Sequence, residues 1–188
     1  MQLHRDALHH LYEHGDPDIE AVKPVRENLD RVAGLVDGVA TQLYFACGAY
    51  HEKSNSGKEL SPAQLRRFWV EAAPLFTDLA AELHPHTAYQ IIQTLHHLLP
   101  CAPNEVFLLA AQTIRSSAVA GFQHESLAVG DVVKLIERVL ADYRDLFQND
   151  TDEESECLSA LLEVLDLFVE AGWAEARRLT HRLEEIYR

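Results

Sequence analysis

Two short stretches, Val119-Ala120-Gly121-Phe122 and Glu170-Ala171-Gly172-Trp173, lie 51 residues apart, and each closes a long apolar segment. Glycine directly after a helix adopts the left-handed backbone conformation readily, because it has no Cβ atom to clash. The aromatic residue that follows can fold back onto the helix that has just ended. The two stretches therefore predict C-terminal helix caps at Gly121 and Gly172, and they indicate helical hairpins joined at apolar corners.

Apolar residues recur at intervals of three and four along most of the remaining chain, which is the spacing of a helix face. The longest such pattern comprises Val25, Leu29, Val32, Val36, Val39, Leu43, Ala46 and Tyr50. Further helices are predicted over 2–14, 85–99, 104–120, 129–147 and 152–171. Two more begin at Ser61 and Trp173, and the helix from Ser61 is expected to kink or break at Pro74. No segment alternates with a period of two. The prediction is an all-α fold of seven or eight helices, stacked as antiparallel hairpins in a solenoid-like array or an irregular bundle.

Two local signals refine this helical prediction. Thr151 and Glu154 have the spacing of a capping box, in which the threonine caps the helix and the glutamate bonds back to it. Gly34 and Gly38 lie four residues apart on the first long helix. Glycines spaced in this way let a neighbouring helix approach closely, and each one lowers helix propensity. We therefore expect a helix to pack against them.

The composition sets the size and the broad class of the protein. The chain has 188 residues, of which 47% are apolar, and this is enough to bury the core of a single domain over 1–188. The polar segment 51–60 (HEKSNSGKEL) is the alternative position for an internal boundary. The three cysteines are widely separated and lie in apolar contexts, which favours reduced thiols in a cytoplasmic protein. The apolar run over 38–50 has 13 residues, too few to span a bilayer.

The net charge of −14 restricts the expected partners. Binding to nucleic acid requires a basic surface that displaces counterions, and an anionic membrane also attracts basic surfaces. The composition therefore predicts neither nucleic acid nor membrane as a partner. It favours a protein partner or self-association, and it leaves small-molecule binding open.

The C-terminal half, residues 86–188, resembles the helical repeats of the HEAT and armadillo type, whose helix pairs are ~40–47 residues long. Shifting the sequence by 51 residues aligns the apolar positions of 106–118 with those of 157–169, although few residues are identical. The resemblance implies a curved helical scaffold whose groove or ridge binds another macromolecule.

The sequence His10-Leu11-Tyr12-Glu13-His14 has the pattern H-x-x-E-H of inverted zinc proteases. On a helix, His10 and His14 lie on one face and can share a metal ion, and Glu13 can polarise a bound water. No third ligand is evident, and the motif lies directly before the helix-breaking Gly15. A metal-dependent hydrolase is therefore retained as an alternative, while the favoured interpretation is an ordinary surface helix without a cofactor.

Three other groups of residues are candidate sites. The first is a metal site among His84, His86, His96, His97 and Cys101. The second is a basic docking face formed by Arg177, Arg178 and Arg182. The third is a small-molecule pocket among Phe68, Trp69, Phe107 and Phe122. The histidines are expected to be satisfied by backbone groups or water. The function that the sequence favours is therefore a non-catalytic helical scaffold or protein–protein interaction module, which could be the C-terminal part of a larger assembly. A small-molecule-binding helical regulator is a further alternative.

Overall fold

The computed structural model describes residues 23–49, 60–81, 85–119, 126–147, 152–173 and 179. These residues form six α-helices and one 3₁₀ turn, and they contain no strand. The helices are α1 (Lys23–Ala46), α2 (Pro62–Ala81), α3 (Pro85–Leu98), α4 (Pro103–Val119), α5 (Ser126–Asp142) and α6 (Asp152–Glu170), with the 3₁₀ turn at Arg144–Phe147. The predicted all-α fold is confirmed. The predicted helix over 2–14 and most of the helix after Trp173 lie outside the described residues.

Each helix packs on the helix two places along the chain, so the helices form two rows. One row contains α1, α3 and α5, and the other contains α2, α4 and α6. The rows are joined chiefly by contacts between α3 and α4, which are connected by only four residues, 99–102. In the part of the chain that the structure describes, α1 packs substantially on α3 alone, whereas α6 packs on α4 and on the 3₁₀ turn. Among the described helices, α1 and α6 are therefore the outer members of the two rows.

The helix α4 is buried on most sides because it contacts α2, α3, α5 and α6. Its sequence allows this burial, since its buried large side chains are apolar and the hydroxyl groups of Thr113 and Ser117 bond within the helix. Thr113 Oγ1 donates a hydrogen bond to Leu109 O at 2.9 Å, and Ser117 Oγ donates to Thr113 O at 2.7 Å. Each hydroxyl is thereby satisfied without a partner from another helix, so the burial of these two side chains does not leave a polar group unpaired.

Pro74 neither breaks α2 nor divides it, and the helix is continuous from Pro62 to Ala81. The predicted break does not occur. Because proline has no N–H group, the carbonyl of Val70 loses its usual helical partner at this position. The large side chains around the proline hold the helix in place, since Trp69 and Phe76 are buried and their rings stack at 6.0 Å. Tertiary packing thus outweighs the local cost of the proline.

The helix α6 ends at Gly172, whose φ angle of 72° lies in the left-handed region. Gly172 N donates to Val169 O at 3.0 Å, and Trp173 N donates to Phe168 O at 3.0 Å. These two bonds define a Schellman motif, which satisfies the last carbonyls of the helix. The Trp173 ring folds back and stacks on Phe168 with centroids 4.6 Å apart. The corresponding stretch at Gly121 lies outside the described residues.

Candidate functional site

The outward side of α1 is apolar and exposed between Gly34 and Ala46. We call this face the α1 stripe, and it consists of Gly34, Leu35, Gly38, Val39, Gln42, Phe45 and Ala46, all of them exposed. The exposed fractions of Leu35, Val39 and Phe45 are 63%, 38% and 51%. The stripe contains no charged residue, although the chain as a whole carries a net charge of −14. Adjacent exposed apolar side chains of this size are typical of interaction surfaces.

The opposite face of α1 fixes the helix on α3. Ala40, Leu43 and Cys47 are buried there, and Thr41 Oγ1 donates a hydrogen bond to Gln90 Oε1 at 2.8 Å. These contacts determine which side of α1 points outward. They also correct the sequence prediction, which placed Val39 and Ala46 on the inward face together with Leu43. The observed inward face contains Ala40 and Cys47 in place of Val39 and Ala46, so it is rotated about the helix axis relative to the predicted face.

Gly34 and Gly38 are open to solvent. A Cβ atom added at either position meets no heavy atom within 4 Å outside the helix's own backbone. The expected close approach of a neighbouring helix is therefore not made by any residue that the structure describes. The two glycines leave shallow depressions beside Leu35 and Val39, so the stripe has both projections and recesses.

A second exposed surface is an open groove between α2 and the start of α4. It is lined by Arg66, Trp69, Val70, Ala73, Pro74, Thr77, Cys101, Ala102 and Glu105. Trp69 Nε1 donates a hydrogen bond to Glu105 Oε2 at 2.9 Å, which holds the two sides of the groove together. Burial raises the pKa of the Cys101 thiol, and the nearby Arg66 guanidinium lowers it by a smaller amount. A thiol with a raised pKa is a poor nucleophile at neutral pH, so the groove is not arranged for cysteine chemistry.

The aromatic residues that were predicted to line a small-molecule pocket are, where they are described, mainly part of the core. Phe107 is fully buried and packs edge-on against Phe147 with centroids 5.5 Å apart. Trp69 is 4% exposed and Phe68 is half-buried, while Phe122 lies outside the described residues. Phe107 and Trp69 therefore belong to the core, and Trp69 also lines the open groove.

The histidine and cysteine candidates are partly described. His97 Nε2 lies 3.1 Å from the carbonyl oxygen of Cys47; since a carbonyl oxygen only accepts, this nitrogen carries the hydrogen. This bond fixes the orientation of the ring and links α3 to the residue that follows α1. Cys157 Sγ donates to Asn104 Oδ1, and all three cysteines are reduced, with no disulfide between them. Within the described ranges, no three histidine, cysteine or acidic side chains are grouped so as to hold a metal ion.

Several predicted site residues lie outside the described residues. They are His10, Glu13, His14, His84, Gly121, Thr151, Arg177, Arg178 and Arg182. Glu154 lies in α6 and His86 in α3, but their side chains are not described. The sequence did not single out the α1 stripe, because Val39 and Ala46 were assigned to the same face as Leu43, while Leu35 and Phe45 were not assigned to any face. The uncharged run over 38–50 was the available signal.

Comparison with known proteins gives no match: no protein-family model, no curated protein and no solved structure is similar to the chain. A separate search of the described helices for an apolar segment long enough to cross a membrane finds none. The site is therefore interpreted from its own residues.

Proposed function

We propose that the chain is a non-catalytic helical scaffold that binds protein partners through the α1 stripe. The observation that carries this proposal is the exposure of Leu35, Val39 and Phe45 on an outer helix. A helix at the end of a helical array needs a polar outward face to remain soluble, because no further helix covers it. Between Gly34 and Ala46 the outward face of α1 is instead apolar, which suits contact with another protein.

The composition supports the same proposal. A high negative charge keeps the molecule soluble while one uncharged face is exposed, and it disfavours nucleic acid and anionic lipid as competing partners. The three reduced cysteines fit a cytoplasmic location, where thiols are not oxidised. The resemblance to HEAT and armadillo repeats would place the stripe at the end of a curved scaffold, and the basic residues Arg177, Arg178 and Arg182 would offer a second docking face.

The proposal is tested by comparing three forms of the chain as bait in extracts of the source cell. The stripe variant carries Leu35→Glu and Phe45→Glu, and the control carries Leu162→Glu, which introduces a charge at another exposed leucine. Proteins that bind through the stripe should be lost from the stripe variant and retained by the control. The proposal is wrong if the stripe variant and the wild-type chain retain the same proteins in the same amounts.

The metal-dependent hydrolase remains the alternative for His10, Glu13 and His14. It is separated from the scaffold by metal analysis of chain purified without a histidine tag. About one zinc ion per chain, lost on His10→Ala, would favour the hydrolase. Metal well below one ion per chain, and unchanged by the substitution, would exclude it.

A further inference from the structure

The open groove between α2 and the start of α4 combines an apolar wall with one positive and one negative side chain. Its charged residues are Arg66 and Glu105, and its apolar residues include Trp69, Val70, Ala73, Pro74 and Ala102. Small-molecule sites are mostly apolar, contain a few polar groups and have volumes of ~300–1,000 Å³. The groove has a volume of about 700 Å³, so it has both the composition and the size of such a site.

The two charged residues lie beside the same tryptophan. Arg66 and Trp69 are three residues apart on α2, so their side chains are neighbours on the helix surface. Trp69 Nε1 donates a hydrogen bond to Glu105 Oε2 at 2.9 Å, and this bond does not use Glu105 Oε1. The Arg66 guanidinium also lowers the pKa of Cys101, so its charge acts on the side of the groove where α4 begins.

These polar groups are not satisfied by one another. Among the described residues, no ion pair joins Arg66 to Glu105 or to another carboxylate. The carbonyl of Val70 lacks its helical donor, because Pro74 has no N–H group, and Val70 is 69% exposed. The groove therefore offers a cation, a carboxylate oxygen and a carbonyl oxygen to a ligand.

We propose that this groove binds a free amino acid with an apolar side chain. The carboxylate of the ligand pairs with Arg66, its ammonium group donates to Glu105 and to the Val70 carbonyl, and its side chain contacts the apolar wall. A purely anionic ligand would be repelled by the glutamate and a purely cationic one by the arginine, so a molecule that carries both charges fits better than either. Because both charged residues are exposed, we expect a dissociation constant in the millimolar range.

This site goes beyond the proposed function, since no residue of the α1 stripe lines the groove. The chain with Leu35→Glu and Phe45→Glu should therefore bind the amino acid as the wild-type chain does. Variants of the groove should in turn capture the same proteins as the wild-type chain. Failure of one proposal leaves the other in place.

The experiment follows the indole N–H signals of the isotope-labelled chain by nuclear magnetic resonance, while L-leucine is added to about 20 mM. The chain has two tryptophans, so Trp69 reports on the groove, and Trp173, which stacks on Phe168, is an internal reference. The Trp69 signal should shift in a saturable manner, because its N–H group bonds to a proposed ligand-binding residue. The Trp173 signal should not shift, and its loss in Trp173→Phe assigns the two signals.

Two leucine analogues and two variants separate the contributions of the two charges. N-acetyl-leucine lacks the ammonium group, and leucinamide lacks the carboxylate. Arg66→Gln should weaken the binding of leucine about two- to fivefold and leave leucinamide unaffected, whereas Glu105→Gln should weaken leucine similarly and leave N-acetyl-leucine unaffected. The glutamine at position 105 retains an oxygen that can accept the Trp69 N–H. Titrations at about 0.15 M salt screen the net charge of the chain.

Arg67→Gln is the matched control, because it removes the same charge from an arginine that pairs with Glu71 and does not line the groove. It should leave the binding of leucine unchanged, and circular dichroism shows whether each variant remains folded. The proposal is overturned if leucine shifts neither indole signal or both alike, or if Arg67→Gln weakens binding as much as Arg66→Gln does. It is also overturned if each analogue loses as much affinity as leucine in the variant that should spare it.

Discussion

The helices α1 and α6 differ in the composition of their exposed faces. The outward residues of α6 are Glu156, Ser159, Leu162, Glu163, Asp166, Val169 and Glu170, so its two exposed apolar side chains lie among carboxylates. The α1 stripe has three exposed apolar side chains and no charge. Exposure of a leucine or valine is common among charged side chains, whereas an uncharged apolar surface is typical of interaction sites. This difference is the reason for proposing the α1 stripe, and not α6, as the binding face.

The inward faces of the two helices also differ. The inner residues of α6 are Cys157, Ala160, Leu161, Val164, Leu165 and Phe168, and each is at most 5% exposed. In the described part of α1, the fully inward residues are Ala40 and Leu43, with Val36 and Tyr44 half-buried, and the buried Cys47 follows the helix directly. Because α6 buries more apolar side chains than residues 34–46, the part of α1 whose side chains are described without a gap, we expect it to contribute more to stability than that part of α1 does.

The largest expected effect tests this difference directly. Phe168→Ala should reduce the free energy of unfolding by about 3–5 kcal/mol, because it opens a cavity and removes the ring on which Trp173 stacks. Leu43→Ala in α1 should cost about 2–3 kcal/mol, since its side chain is smaller and lies at the outer end of the row. Urea unfolding followed by circular dichroism measures both values. Equal losses would show that α1 is held as firmly as α6.

The next largest effect is expected at the end of α6. Gly172→Val should reduce the free energy of unfolding by about 1–2 kcal/mol, because a β-branched residue resists the φ angle of 72° that the Schellman motif requires. Gly130→Val is the control, since Gly130 is an exposed helical glycine with no neighbouring atom within 4 Å of an added Cβ. Thermal unfolding should show a lower melting temperature for the first variant and little change for the second. An unchanged melting temperature at Gly172 would contradict the assigned cap.

A smaller effect of opposite sign is expected at the stripe. Gly34→Ala and Gly38→Ala should each stabilise the chain by about 0.5–1 kcal/mol, because alanine loses less backbone entropy than glycine in a helix. The added methyl group meets no described neighbour at either position. Denaturant unfolding at low protein concentration measures the effect on the single chain. A loss of stability would mean that the space at these glycines is needed within the chain itself.

The sequence was sufficient to predict the all-α fold, because helical periodicity, proline positions and glycine caps are local signals. The helices α3, α4 and α6 were placed to within one residue at each end, and Gly172 has the φ angle that its predicted cap requires. The helix predicted over 129–147 instead runs from Ser126 to Asp142, and residues 144–147 form a 3₁₀ turn. Those helices have one clearly apolar face, or are apolar on most sides, so their inward residues follow from the pattern.

The face of α1 was predicted incorrectly because this helix is apolar on two sides. Periodicity identifies that a helix has an apolar face, but it does not decide between two such faces, and the choice depends on contacts with α3. Leu75 in α2 is a second apolar residue that lies on the exposed side of a helix with a buried apolar face, since it is 48% exposed. The exposed stripe became visible only when the packing of Ala40 and Cys47 was known.

The three reduced cysteines allow a comparison of how readily the two outer helices open. Cys101 is partly exposed, whereas Cys47 at the end of α1 and Cys157 in α6 are fully buried. Alkylation of the native chain should therefore modify Cys101 first, Cys47 second and Cys157 last, because a buried thiol reacts only when its segment opens and α1 has fewer packing contacts to lose. Mass spectrometry of quenched samples gives the order, and labelling of Cys157 before Cys47 would reverse the proposed ranking of the two helices.

Since burial raises the pKa of Cys101, the rate at which this thiol is alkylated should rise about tenfold per pH unit through neutral pH. Arg66→Gln should slow that reaction, because it removes the guanidinium that lowers the pKa of the thiol.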